Sequence, residues 1–387
     1  MKSNIRARFI STNASVSLDL MRGLAALIVC LEHWRNLLYV DYRQIGFYRA
    51  FFALPYVVTG AGHQAVVIFF VLSGYLVSGS IFRLMKRDQW TWRLYLTHRL
   101  VRLWLVLIPA LILGAVLDLV GLHSHLAPAL YAGQTGTHML GNTTESLRAS
   151  TFAGNLFFLQ GILVKTFGSN SPLWSLAYEF WYYILFPFAF LVVRRGVPMV
   201  TRIFSAVAFL ACACLVGKDI LLAFPLWLLG TILVLVPAAH VGVRLRVIAT
   251  IVYCPIFFFL AKTRLVSGVL SDYILGVATF VLIWVLLSAK SEAPANRYVA
   301  ITRLGARFSY TLYLVHVPFL VLLTAAMAGE SRWQPDALHL AMGTAGLLLV
   351  IGYAFAIASL TEFQTDHVRQ WVEKRLLRKP PRASYSS

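Results

Sequence analysis

The chain has 387 residues, of which 59% are hydrophobic and 13% charged, and its formal net charge is +19. A soluble domain averages about 45–50% apolar and about 25% charged residues, so a soluble fold is excluded and an all-α polytopic membrane protein is expected. The basic residues are spread over several connections rather than gathered on one face, which reads as a topology signal and not as a nucleic-acid footprint.

Crossing the hydrocarbon core takes about 20 apolar residues. Ten segments meet that length: 18–40, 62–83, 100–121, 172–194, 199–217, 219–237, 246–261, 270–288, 304–327 and 337–360. The first apolar run contains Asp19, Arg22 and Glu32 and lacks a small-residue cleavage site, so it is expected to be a retained helix and not a signal peptide. The longest connection, 122–171, holds Gly, Pro, His and Thr, with an interfacial or re-entrant piece expected near 151–164. Lys and Arg crowd the N-terminal tail, every second connection and the C-terminal tail, which predicts an even number of spans with both termini cytoplasmic. The expected organisation is a tail over 1–17, one transmembrane domain over 18–360 and a basic cytoplasmic tail over 361–387. Cys30, Cys212, Cys214 and Cys254 all lie in apolar runs and read as small buried hydrophobes without a metal pattern. No internal repeat is evident, which weighs against a transporter built on inverted repeats.

An ionisable residue at mid-membrane costs about 2.5–3.5 kcal/mol on insertion scales and is by default a functional candidate. In the first segment Arg22 and His33 are eleven residues apart, so their side chains differ by only about 20° around the helix and by roughly 16 Å along it. Asp19, one turn before Arg22, lies near the same face. Glu32 points about 100° away from His33. The stretch FFVLSGYLVSGS brings Ser73, Gly74, Ser78 and Gly79 to spacings suited to close helix packing, the favoured reading, or to a cavity wall. In HRLVRLW, Arg99 and Arg102 share a face at a helix end, either as topology anchors or as a phosphate clamp. In SPLWSLAYEFWYYILFP, Ser171 and Pro172 start a helix. Ser175 and Glu179 share a face there, which Tyr182 and Tyr183 continue, while Trp174, Tyr178 and Trp181 suit an interface belt or a binding site. In FSYTLYLVHVPF, His316 lies about 18 Å from the cytoplasmic end of its helix. His33, Glu179 and His316 thus come from three helices at similar depth and are expected to form one intramembrane site.

Taken together, LDLMRGLAALIVCLEH, FFVLSGYL, HRLVRLWLVLIP, SPLWSLAYEFWYYILFP and SYTLYLVHVPF resemble, in order over residues 18–320, the membrane acyltransferase family 3, bacterial integral-membrane enzymes that O-acylate sugars, surface polysaccharides, lipids and some macrolides. The resemblance implies a ten-helix domain in the bacterial inner membrane. It also implies His33 as the catalytic residue with Arg22 as its companion, Arg99 and Arg102 as donor-binding groups, and Glu179 and His316 in the core. Glu32 departs from the pattern, where an apolar residue beside the histidine is expected.

On this reading the donor is acyl-CoA from the cytoplasm, with acetyl-CoA as the commonest choice. Asp19, Arg22, Arg99 and Arg102 would stand at the donor side, and no metal is needed. His33 would take the proton of an acceptor hydroxyl, with Glu179 or His316 orienting it. Ser175, Trp174 and Tyr182 would contact substrate, and Ser175, a tyrosine or backbone N–H groups would serve the oxyanion. The acceptor, a carbohydrate, surface polysaccharide or lipid-linked glycan, would arrive from the other side beneath 122–171. The competing expectations are a proton-coupled transporter or flippase of a polar or glycan substrate, since buried Glu and His also suit that task, and the other histidine-based class of membrane O-acyltransferase.

Overall fold

The computed structural model describes residues 12–46, 48–137, 139–262, 268–289 and 291–376. Among these the chain is helical without a strand, and nine helical stretches are long and apolar enough to cross a membrane. Their main helices are α1 (Asn13–Leu38), α2 (Gly62–Lys86), α3 (Trp92–Ser124), α4 (Trp174–Val193), α5 (Met199–Leu235), α6 (Val243–Lys262), α7 (Gly268–Leu286), α8 (Arg297–Met327) and α9 (Ala337–Leu360). A shorter helix, α10 (Thr365–Leu376), follows. Every second connection is basic, so the bundle has a basic end and an opposite end.

The nine stretches hold the ten expected segments, two of them within one element. Segments 199–217 and 219–237 are joined in the 37-residue α5, interrupted only at Gly217, whose φ of 76° and ψ of 177° are non-helical. That backbone region is open essentially to glycine alone. The contacts reverse direction there. Before the break, Phe204 meets Phe188 near the far end of α4. After it, the Ile220 carbonyl accepts from the Tyr182 hydroxyl, Phe224 stacks on Tyr182, and Trp227 meets Phe186. The second half of α5 therefore runs along α4 in α4's own direction, and the first half runs against it. Gly217 is a hairpin, and α5 makes two passes of about 27 Å each.

Two close approaches set the frame for the site. Gly23 of α1 meets the backbone of Gly305 and Ala306 in α8, and further along the same helices His33 meets His316. α1 and α8 are thus parallel neighbours, which brings the two histidines to one level. On the other side, a Cβ on Gly74 would run into the Trp227 carbonyl, and one on Gly230 into the Val71 carbonyl, so α2 and the second pass of α5 pack backbone to backbone. Close packing is thereby met at Gly74, whereas Ser73 turns inward to hydrogen-bond Glu179. Pro318 inside α8 lacks an N–H, which frees the carbonyl of Leu314. The Asn170 side chain donates to that carbonyl at 2.7 Å, tying the long connection to α8. The same connection is anchored to α3 by Asp118, 1% exposed, which accepts from the Ser169 N–H at 2.8 Å and its hydroxyl at 2.6 Å.

Three sequence expectations change. The first helix begins at Asn13, where the Thr12 hydroxyl accepts from the Ser15 N–H, so part of the supposed N-terminal tail is helical; residues 1–11 lie outside the described residues. The C-terminal segment is docked as far as residue 376: Glu362 accepts from the N–H and hydroxyl of Thr311 in α8 at 2.9 and 2.8 Å, and α10 lies on α3 through a His98–Glu373 pair. Of the cysteines only Cys30 is fully buried, while Cys214 and Cys254 lie on helix exteriors, where an apolar environment outside the protein serves a thiol equally well.

Candidate active site

His33 and His316 stack with ring centroids 5.0 Å apart and planes 15° from parallel. His33 Nδ1 lies 2.7 Å from His316 Nε2, and His316 Nδ1 lies 2.8 Å from the Leu312 carbonyl. A carbonyl only accepts, so His316 donates from Nδ1. In the neutral ring Nε2 is then the acceptor, and His33 must donate to it from Nδ1. The tautomer of each imidazole is fixed by the next group, and His33 Nε2 is left with a free lone pair. His316 is fully buried, while His33 is half-buried. His33 lines a cavity of about 290 Å³ together with Asn36, Asp41, Thr137 and Arg332, at the end opposite the basic loops. Arg332 is held there by Asp41 at 3.1 Å.

A second cavity, of about 70 Å³, lies between α1, α2, α3, α4 and α8 and is lined by Arg22, Arg102, Glu179, Ser175, Tyr310 and Tyr313 among others. Glu179 accepts from Ser73 at 3.2 Å and from the Tyr183 hydroxyl. Arg22 lies 3.6 Å from Asp19 and donates to the Ala306 carbonyl at 2.9 Å, but its Nε is buried without a partner. Arg102 has no hydrogen-bonded partner among the described residues and is surrounded by Glu179, Glu362, Tyr183 and Tyr310. Arg99 stands behind this cavity: it donates to Ser80 at 2.6 Å and lies over the rings of Tyr95 and Tyr183 at 5.5 and 5.7 Å. Tyr313 divides the two regions. Its hydroxyl is 2.6 Å from that of Ser175 and donates to the Pro172 carbonyl at 3.0 Å, and its ring centroid is 6.3 Å from that of His316.

The predicted residues therefore sort into groups. His33 and His316 are in direct contact. Arg22, Arg102, Glu179 and Ser175 share the basic cavity, with Asp19 at its edge through Arg22. Glu179 is bonded to Ser73 and Tyr183 and not to either imidazole, so of the two orienting partners considered for His33 it is His316 that touches it. Trp174 lines a third cavity with His63. Tyr182 is a correction: it is fully buried, its hydroxyl donates to the Ile220 carbonyl at 2.8 Å, and it lines none of these cavities. It packs, and its neighbour Tyr183 holds the face that reaches Glu179. Glu32, the departure from the family pattern, turns from His33 onto Gly62 at the start of α2, where a Cβ would have no room. A carboxylate there meets the free N–H groups and positive dipole end of that helix.

Several site residues escaped the sequence reading. Tyr313 precedes His316 by three residues and so shares its face, a signal that spacing could have supplied. Glu362 lay in the supposed tail, and Asp41 and Arg332 lay in loops, where periodicity gives no information. The family model for acyltransferase 3, described as an acyltransferase domain, matches residues 15–361. No curated protein and no solved structure matches the chain.

Proposed function

The chain belongs to the acyltransferase 3 domain family and is a multi-pass membrane acyltransferase, and on that premise we propose that it moves a short acyl group, such as acetyl, from acyl-CoA to a hydroxyl of a carbohydrate acceptor. The observation that carries this reading is the chain from His33 Nδ1 through His316 to the Leu312 carbonyl. It keeps a lone pair on His33 Nε2, the atom a general base needs. The acceptor hydroxyl gives its proton to Nε2 as its oxygen attacks the thioester carbon. The imidazolium so formed is stabilised by a stronger, charge-assisted bond to His316. Collapse of the tetrahedral intermediate breaks the carbon–sulfur bond, and the proton passes from His33 to the leaving thiolate. The hydroxyls of Ser175 and Tyr313, bonded to each other and to the Pro172 carbonyl, would serve the oxyanion only by turning an O–H away from that carbonyl.

Arg22 and Arg102 suit the phosphates of the donor, because guanidinium groups bind phosphate bidentately and these two retain unengaged N–H groups. A cavity of about 70 Å³ favours a short acyl group and the thin pantetheine arm, with the nucleotide left at the basic end. The polar lining around His33 favours a polyhydroxylated acceptor. The basic connections support a cytoplasmic location for the donor side, with both termini there, in a bacterial inner membrane.

The test uses purified protein in detergent with acetyl-CoA and a soluble glycan acceptor, following free thiol. Acceptor-dependent thiol release in wild type, absent in His33→Ala, is the expected result. Substrate uptake into proteoliposomes without thiol release would replace this reading with the transporter.

A further inference from the structure

The third cavity, of about 160 Å³, shares only Val66 and Phe70 with the Arg102 cavity and no residue with the His33 cavity. Its chemistry comes from His63 of α2, Trp174 and Tyr178 of α4, Asp219 of the second pass of α5, and Asp272 and Tyr273 of α7, over an apolar floor that includes Phe70. All four elements present their N-terminal ends here, so the cavity opens at the end opposite the basic loops. His63 Nε2 lies 2.9 and 3.0 Å from the two oxygens of Asp272. The rings of His63 and Trp174 stack at 6.4 Å and 17°, and Tyr178 stands edge-on to Trp174 at 5.1 Å. The Tyr273 hydroxyl is engaged by the Leu222 carbonyl at 2.6 Å. Asp219 is exposed and has no hydrogen-bond or ion-pair partner among the described residues.

Among the described residues no lysine or arginine lines this cavity, although the chain carries 34 of them against 15 acids. Two carboxylates with no lysine or arginine beside them, and the one histidine already turned onto Asp272, disfavour phosphates, so neither the donor's nucleotide nor an anionic headgroup suits it. A sugar ring does. Its C–H face is apolar and lies well on aromatic rings, while its hydroxyls need acceptors, which carboxylate oxygens supply. Asp272 is already bridged by His63, so the cavity is a weaker trap for a free cation than two bare carboxylates would be. The volume suits a single ring.

The position links this cavity to the reaction centre. His63 follows Gly62, against which the Glu32 carboxylate rests, and Glu32 also lines the His33 cavity. We propose that this cavity binds a neutral sugar unit of the acceptor next to the unit that is acylated, an inference that rests on the carbohydrate reading of the acceptor above. A two-unit grip of this kind would select an oligosaccharide over a free monosaccharide.

The experiment is saturation-transfer NMR on the full-length protein in detergent micelles. The probes are the methyl glycosides of glucose, rhamnose and N-acetylglucosamine, with choline chloride as the cationic control. Ring C–H signals are expected for at least one glycoside, retained in His33→Ala and weakened about tenfold in Trp174→Ala and in Asp219→Asn, the loss of one good contact. Asp219 is exposed, so its substitution leaves folding intact. Signals that are absent for every glycoside, unchanged in both variants, or outcompeted by choline overturn the proposal. Because His33→Ala removes turnover but not this site, sugar binding without acyl transfer in wild type would defeat the acyltransferase mechanism and leave the sugar site standing.

Discussion

The two regions on either side of Tyr313 differ in how far their polar groups are already engaged. Around His33 every bond points one way, from imidazole to imidazole to carbonyl, and a single nitrogen remains free. Around Arg102 the opposite holds: a guanidinium without a hydrogen-bonded partner faces Glu179 and Glu362, and Arg22 keeps a buried Nε unpartnered. Groups engaged with each other fix orientation, and groups held unengaged in a cavity await a ligand. The first region is therefore suited to proton transfer and the second to holding charge.

That contrast can be broken most sharply at the free nitrogen. His33→Ala should lower turnover by about 10²–10⁴, the usual contribution of a general base, with donor affinity unchanged, as measured by thiol release and by calorimetric titration of acetyl-CoA. His316→Ala should cost about 10–100-fold in turnover, by analogy with the loss of the orienting partner of a metal-binding histidine. The rate should be partly restored by His316→Gln, whose side-chain oxygen can again accept from His33 Nδ1. Equal donor binding in both variants would separate orientation from collapse of the fold. On the other side, Arg102→Ala should raise KM for the donor about 10-fold or more with a smaller change in kcat, since a charge-assisted hydrogen bond contributes about 1.5–3 kcal/mol. Arg102→Lys should recover part of that, and higher salt should weaken the wild-type donor interaction at the mouth.

Two smaller effects test the frame. Gly74→Ala forces a methyl against the Trp227 carbonyl and should destabilise by about 1–3 kcal/mol, read as a lower Tm in detergent. Tyr182→Phe removes one buried hydrogen bond to Ile220 and should cost only about 1 kcal/mol while leaving KM for donor and acceptor unchanged. A kinetic defect there would return Tyr182 to the site.

The sequence made the cast visible but not its pairings. Arg22, His33, Glu179 and His316 stood out because charge in an apolar run is costly, and a helical wheel aligned Arg22 with His33. The contact of His33 with His316 spans 283 residues of separation and depends on α1 and α8 running parallel at Gly23 and Gly305, which no local pattern encodes. The allegiance of Glu179 to Ser73 and Tyr183, rather than to a histidine, is likewise decided by which helices become neighbours. Trp174 and Tyr182 shared one aromatic run, yet a rotation of the helix turned one toward a cavity and the other into packing. The break between 217 and 219 was legible as length, since a largely apolar run of 37 residues exceeds one span; that it is a hairpin follows only from the reversal of contacts at Gly217.

The Leu312 carbonyl at the end of the histidine chain has one more consequence. A row of imidazoles that met water at both ends would conduct protons and discharge the membrane it sits in. An amide oxygen can hold a proton donor but cannot hand the proton onward, so the row is a cul-de-sac. Whatever His33 picks up must leave by the same nitrogen, and the bilayer keeps its insulation while chemistry runs inside it.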